Sequence, residues 1–255
     1  MAGTALRGRL TWRLGTVVAA AAETPRIRRL SLDVPGWAGH LPGQHVDVRL
    51  TAEDGYSAQR SYSIASAPEG GAARSRAPTL DLVVERLDDG EVSPYLTDVL
   101  AVGEQLELRG PVGYHFVWHV ELGGPLQLIA GGSGVAPFLA MLDHHAAAAS
   151  DVPVRLLYSA RTLDDVIART GLDEHAARGV GVAITLTRSA PAGWTGLGGR
   201  LTPEVLRERV FPPAAHPAIF VCGPTGFVEA VADSLVALGH PSEAVKTERF
   251  GGQDP

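Results

Sequence analysis

The chain changes its hydrophobic rhythm once, near residue 123, and that change limits its possible folds more than any other feature. Before it, apolar residues recur in short, often alternating runs at 11–18, 27–34, 45–50, 61–65, 80–84 and 105–108. Alternation with a period of two belongs to half-buried strands. Turn formers separate the runs: Pro35-Gly36, Pro42-Gly43, Asp54-Gly55 and Asp89-Gly90. Six such strands with a single helical candidate, 94–100, predict a six-stranded antiparallel β-barrel. After the change, apolar strands at 126–130, 153–158, 183–186, 218–222 and 245–249 alternate with helical patterns at 137–149, from 163, at 203–210 and at 226–238. That alternation predicts an α/β domain with a doubly wound parallel sheet. The turn-rich Glu121-Leu122-Gly123-Gly124 divides the two, giving domains at 1–122 and 123–255. The stretch 69–78, rich in Gly, Ala and Arg and without periodicity, reads as a loop.

Composition narrows the function. No apolar run reaches the ~18 residues of a membrane-spanning helix, and the first 14 residues lack the apolar segment of a secretion signal. A lone cysteine, Cys222, leaves no partner for an internal disulfide and no set of four thiolates for an iron–sulfur cluster. It fits a reducing cytoplasm. A net charge of −6 argues against nucleic acid as a ligand. Within residues 1–29, Arg7, Arg9, Arg13, Arg26, Arg28 and Arg29 face only Glu23. They read either as a docking face for an acidic partner or as charged strand edges that resist aggregation. The nine histidines follow no metal-ligand spacing, and His144-His145 point to different sides of their helix, so no metal is expected.

Three motifs carry chemistry. Gly132-Ser133-Gly134-Val135-Ala136-Pro137 follows the first strand of the second half and opens a helix. Glycines allow the backbone close to an anion, Pro137 suits the first helical position, and free N–H groups there favour a pyrophosphate. The same loop reads Gly-Gly-Ser-Gly-Val over 131–135, so Ser133 does not form a nucleophile elbow. Arg60-Ser61-Tyr62-Ser63 lies on a barrel strand, where Arg60 is a bidentate partner for a diphosphate and alternation puts Arg60 and Tyr62 on one face. Gly90-Glu91-Val92-Ser93-Pro94 precedes the helical candidate, with Ser93 as N-cap and Pro94 in the first turn, a second anion site.

Taken in order with Gly110-Pro111-x-Gly113 and Cys222-Gly223-Pro224, these motifs make residues 14–250 resemble the ferredoxin–NADP reductase family, above all its stand-alone FAD reductases and the reductase components of bacterial oxygenases. The resemblance implies that the barrel holds FAD, with Arg60, Tyr62 and Ser63 at the flavin and Gly90, Val92 and Ser93 at its diphosphate. It implies that Gly132, Ser133, Gly134 and Pro137 bind the nicotinamide nucleotide's pyrophosphate, and that Cys222, Gly223 and Pro224 sit beside the nicotinamide. Thr247-Glu248-Arg249-Phe250 is similar to the family's ending, which implies that Phe250 covers the flavin and Glu248 orients nicotinamide or relays a proton. Ser63, Cys222, Glu248 and Phe250 are thus the residues expected at the reacting atoms.

Arg161 and Arg188 follow neighbouring strands at their carboxyl ends, where a dinucleotide's ribose lies, and Arg200 stands in Gly198-Gly199-Arg200. An arginine there grips a 2′-phosphate, so NADPH is expected over NADH. The whole reads as a monomeric, cytoplasmic oxidoreductase passing electrons from NAD(P)H through FAD to a ferredoxin, a flavodoxin or an oxygenase component. Two alternatives stay open: a diaphorase-like reductase of small quinones or free flavins, and a non-catalytic flavin-binding subunit. The latter predicts losses among the hydride-transfer positions, and these positions are filled.

Overall fold

The computed structural model describes residues 10–68 and 79–250. Arg7 and Arg9, the 69–78 loop and the tail 251–255 lie outside the described residues.

The first half contains β1 (Trp12–Thr24), β2 (Ile27–Asp33), β3 (His45–Thr51), β4 (Ser57–Ser63), β5 (Leu80–Glu85) and β6 (Gln105–Val112). They form one antiparallel sheet in the order β4-β3-β6-β1-β2-β5. Its two edges meet where Ile64, just past β4, bridges Leu82 of β5, and the Ala65 N–H donates to the Asp81 carbonyl at 2.8 Å. Closure removes the exposed edges that an open sheet must protect. Alternate residues of the strands fill the interior: Leu30 and Leu32, Val46 and Val48, Leu82 and Val84, Leu106 and Leu108. Each such side chain contributes about 1.5–3 kcal/mol by leaving water.

The second half contains β7 (Leu126–Gly131), α1 (Ala136–Ala147), β8 (Val154–Ala160), α2 (Arg169–Ala177), β9 (Gly181–Leu186), β10 (Leu197–Gly198), α3 (Pro203–Arg209), β11 (Ala218–Pro224), α4 (Thr225–Ala237) and β12 (Val245–Phe250). Its sheet is parallel, in the order β10-β9-β8-β7-β11-β12. All of β7 is buried, as expected of a central strand covered on both faces. The chain runs outward from β7 through β8 and β9, then returns to the other side through β11. The switch point therefore lies between the carboxyl ends of β7 and β11, where open α/β sheets bind ligands.

The halves share a core. Phe116 after β6 packs edge-on against Phe220 of β11 and stacks with Phe138 of α1, and Trp118 beside it is fully buried against His144 and His145. Ile27, Ala65 and Val83 from the barrel join the same cluster.

Several expectations change. β4 begins at Ser57 rather than 61, because its polar, exposed first residues pair with β3 without any apolar alternation to announce them. β1 runs to Thr24 because its alanine-rich end pairs with β2 through two register shifts. The 94–100 helix is a π-turn, Tyr95–Val99, and Ser93 is not its N-cap: the Ser93 hydroxyl accepts from the Leu87 N–H at 3.0 Å instead. Helix from 163 is replaced by a 3-10 turn, Leu163–Asp165, before α2, with Thr162 and Asp165 capping each other. Pro137 is the second rather than the first residue of α1, because Gly132–Val135 forms its own 3-10 turn. Three of the arginines in 1–29 are committed internally: Arg26 to Asp88, Arg29 to Glu23 and Asp81, and Arg28 to the carbonyls of Leu96, Thr97 and Leu100. Arg28 thus satisfies the carbonyl end of the π-turn rather than facing a partner.

Candidate active site

Two clefts meet at the seam of the halves. The first, of about 770 Å³, is lined by Arg60, Ser61, Tyr62 and Ser63 of β4, by Gly90, Val92 and Ser93, and by Ser133 and Phe250 from the second half. The second, of about 740 Å³, is lined by Gly132, Ser133, Arg161, Pro224 and Phe250, together with residues the sequence reading did not select.

Arg60, near the end of β4, is exposed to solvent. Its Nη1 donates to the Gln59 carbonyl at 2.7 Å, and Nη2 stands 3.8 Å from Glu91 Oε2. Tyr62 points inward against the barrel core, and burial pushes its phenol up to about 12, so it stays neutral. Ser61 faces away: its hydroxyl donates to Asp47 Oδ1 at 2.7 Å, and Asp47 is held in turn by Arg109. Strand alternation separates Ser61 from Tyr62 as expected, although both residues border the cleft. Across the mouth, Tyr56 donates to Glu91 Oε1 at 2.8 Å, joining the β3–β4 loop to the 87–91 turn.

At the switch point the backbone comes very close. A Cβ on Gly134 would overlap the Cys222 carbonyl and approach the Gly223 nitrogen, so the loop after β7 packs directly on the end of β11. A Cβ on Gly131 or Gly223 would stand within 2.9 or 2.7 Å of the Phe227 ring, which fills the gap those glycines leave. Gly134 and Pro137 are buried and Gly223 lies behind the second cleft, so these three shape the loop from beneath it.

Cys222 and Glu248 are register partners on β11 and β12. Burial raises the Cys222 thiol and the nearby Glu248 raises it further, so the sulfur is no thiolate. Burial pushes Glu248 up to about 7, which makes it a carboxyl that holds a proton near neutrality. His45 Nδ1 of β3 stands 3.8 Å from its Oε1, and His45 pairs through its backbone with Ser63. Glu248 therefore lies between the two halves, with Ser63 one residue pair away.

The arginines divide. Arg161 lines the second cleft; Arg188 and Arg200 do not. Their backbones are nonetheless adjacent: the Arg188 N–H donates to the Arg161 carbonyl at 2.9 Å, and Gly199, next to Arg200, donates to Leu186 at 2.9 Å. An acid also reaches this cleft: Asp165 lines it, because the 3-10 turn Leu163–Asp165 folds back where a helix was expected. Its Oδ2 accepts from the Thr162 N–H at 3.0 Å and hydroxyl at 2.7 Å.

Glu85, Phe227, Asp165, Thr187 and His45 escaped the sequence reading. Glu85 ends an apolar strand, and its position after Val83-Val84 was the one local signal that a charged group faces the seam.

The comparisons agree with this geometry. Residues 15–118 match the oxidoreductase FAD-binding domain and residues 128–233 the oxidoreductase NAD-binding domain. The chain is 33% identical to the glycine betaine monooxygenase reductase subunit of Chromohalobacter salexigens over 82% of its own length and 56% of that protein's. It therefore spans little more than half of that relative. It is 32% identical to NADH-cytochrome b5 reductase 1 of Emericella nidulans over 84% of its own length and 69% of the relative's. The FAD/NAD-binding domain of nitric oxide dioxygenase from Vibrio cholerae superposes with a TM-score of 0.81 at 25% identity, covering 94% of this chain and 99% of that one. With two domain matches in the expected order, and a relative covered over more than two thirds of its length, the chain belongs to the ferredoxin–NADP reductase family of FAD- and NAD-binding oxidoreductases.

Proposed function

We propose that the chain takes reducing equivalents from NAD(P)H at the second cleft, and that FAD in the first passes them to a separate redox protein: a ferredoxin, a flavodoxin or an oxygenase component. One observation carries this reading: the two clefts abut, and Phe250 belongs to the walls of both. Bound FAD supplies a two-electron acceptor that releases electrons one at a time. Everything else is the work of the protein's side chains and backbone.

Domain limits of 1–122 and 123–255 follow from this division. In the first domain Arg60 pairs with the cofactor's diphosphate, a bidentate task suited to its exposed guanidinium. The backbone of Gly90, Val92 and Ser93 approaches the same group. Tyr62 offers a neutral ring face, and Ser63 a hydroxyl at the reactive edge. In the second domain the Gly132–Pro137 loop receives the nucleotide's pyrophosphate. Cys222, Gly223 and Pro224 border the nicotinamide, where the thiol acts by its size. Glu248, protonated near neutrality, orients the carboxamide or holds a proton beside Ser63. Phe250 gives way when the nicotinamide enters.

The nucleotide is read as NADPH. Arg161, Arg188 and Arg200 end or flank three successive strands, and none makes a side-chain hydrogen bond or ion pair among the described residues. A free guanidinium such as that of Arg161, in the wall of a dinucleotide site, suits a 2′-phosphate. A cytoplasmic, monomeric reductase completes the reading.

The purified protein should be yellow and release FAD on denaturation. Under anaerobic conditions NADPH should bleach it, and a ferredoxin-type acceptor should restore the colour faster than a small quinone does. Release of FMN alone sinks the FAD assignment, and a preference for the quinone would favour a diaphorase.

A further inference from the structure

Three residues line both clefts: Phe250, Ser133 and Glu85. Two belong to the nucleotide-binding half, but Glu85 is the last residue of β5 and so comes from the barrel. The Ser133 hydroxyl donates to Glu85 Oε2 at 2.7 Å, a bond that crosses the seam at the loop following β7.

The charge at this place is unexpected. A glycine-rich turn at the carboxyl end of a central parallel strand collects N–H groups that favour an anionic ligand. Glu85 sets a carboxylate against that turn. No Lys or Arg forms an ion pair with it among the described residues. Arg26, which lines the same cleft, is committed to Asp88 at 3.0 Å and to the Arg86 carbonyl at 2.8 Å. Tyr158 behind it is neutral, because burial drives its phenol upward.

We infer that Glu85 sets how tightly and how long the nucleotide cleft holds its ligand: its carboxylate, held at the phosphate loop by Ser133, opposes the dinucleotide's diphosphate and speeds its departure. The nucleotide enters when the Ser133 hydroxyl turns from Glu85 to a phosphate oxygen, and the bond re-forms when the oxidised nucleotide leaves. Like charges across a half-buried cleft are strongly unfavourable, so the carboxylate lowers affinity for every dinucleotide while leaving the reacting ring untouched. This rests on the loop after β7 being the pyrophosphate site.

Equilibrium titration of the FAD-loaded protein with NADP⁺ and NAD⁺, followed by flavin absorbance, tests it. Glu85→Gln keeps an oxygen for Ser133 and removes the charge, so both dissociation constants should fall about tenfold or more. Stopped-flow displacement should locate the change in a slower release. Glu85→Ala should tighten binding too. If Glu85 merely braces the loop, Gln leaves affinity unchanged and Ala weakens it, and either result overturns the inference. A wild-type protein that binds neither nucleotide overturns the loop reading and this inference together. A wild-type protein that binds both, with Glu85→Gln no tighter, overturns the role of Glu85 alone.

Discussion

The two clefts are nearly equal in size, about 770 and 740 Å³, yet they are built by opposite means. The first is made of side chains. Arg60 and Tyr62 on an outer strand, Glu91 clasped by Tyr56, and Phe250 from the far end of the chain define its shape. The second is held in place by close backbone packing beneath its walls. Gly134 lies against the Cys222 carbonyl, and Gly131 and Gly223 admit the Phe227 ring, so the loop's position depends on absent Cβ atoms. A side-chain cleft tolerates substitution and loses affinity by degrees, whereas a backbone cleft fails when one atom is added. Phe250, Glu85 and Ser133 lie where the two meet, and changes there should alter how one cleft communicates with the other.

The largest effect tests the backbone cleft. Gly134→Val should abolish nucleotide binding, because its Cβ has no room beside Cys222 and the loop must move. FAD content should stay unchanged if the clefts are independent. Loss of flavin in that variant would break the comparison.

Glu248→Gln comes next. The carboxyl is raised from 4.5 to about 7, so it keeps its proton in the fold at pH values where the unfolded chain has lost it. The folded state then binds more protons, and stability falls as pH rises from 4.5 to about 7, by up to about 3 kcal/mol. Gln should flatten that dependence in thermal unfolding between these limits. It should also slow flavin reduction by about 100-fold if the proton serves the reaction. A pH profile identical to that of the wild type would remove Glu248 from the chemistry.

Arg161→Ala should lower kcat/KM for NADPH by about tenfold and leave NADH alone, the value of one charge-assisted contact. Equal use of both nucleotides by the wild type would refute the preference. The smallest change expected is in Phe250→Ala, which should tighten nicotinamide binding severalfold and blur the choice between NADH and NADPH. An unaltered preference would mean that the ring does not stand between the two clefts.

How much of this was legible depends on the range over which each signal acts. Strands β7, β8 and β11 and the glycine loop announce themselves locally, since a buried parallel strand needs a continuous apolar run and a tight turn needs glycine. The π-turn at Tyr95–Val99 and the turn at Leu163–Asp165 resembled ordinary helix starts, because Ser93 and Thr162 are good caps wherever they occur. What Ser93 bonds depends on Leu87, whose position depends on the barrel.

By itself the sequence determined two folding units, their order, and the three motifs that carry chemistry, because periodicity and turn chemistry operate within a few residues of chain. Only the tertiary structure decided that Phe250 walls both clefts, that Glu85 reaches Ser133 across 48 positions of sequence, and that Glu248 stands half-buried beside Cys222, within 3.8 Å of His45. Desolvation and close contact depend on which distant segments meet, and that follows from the packing of the whole chain.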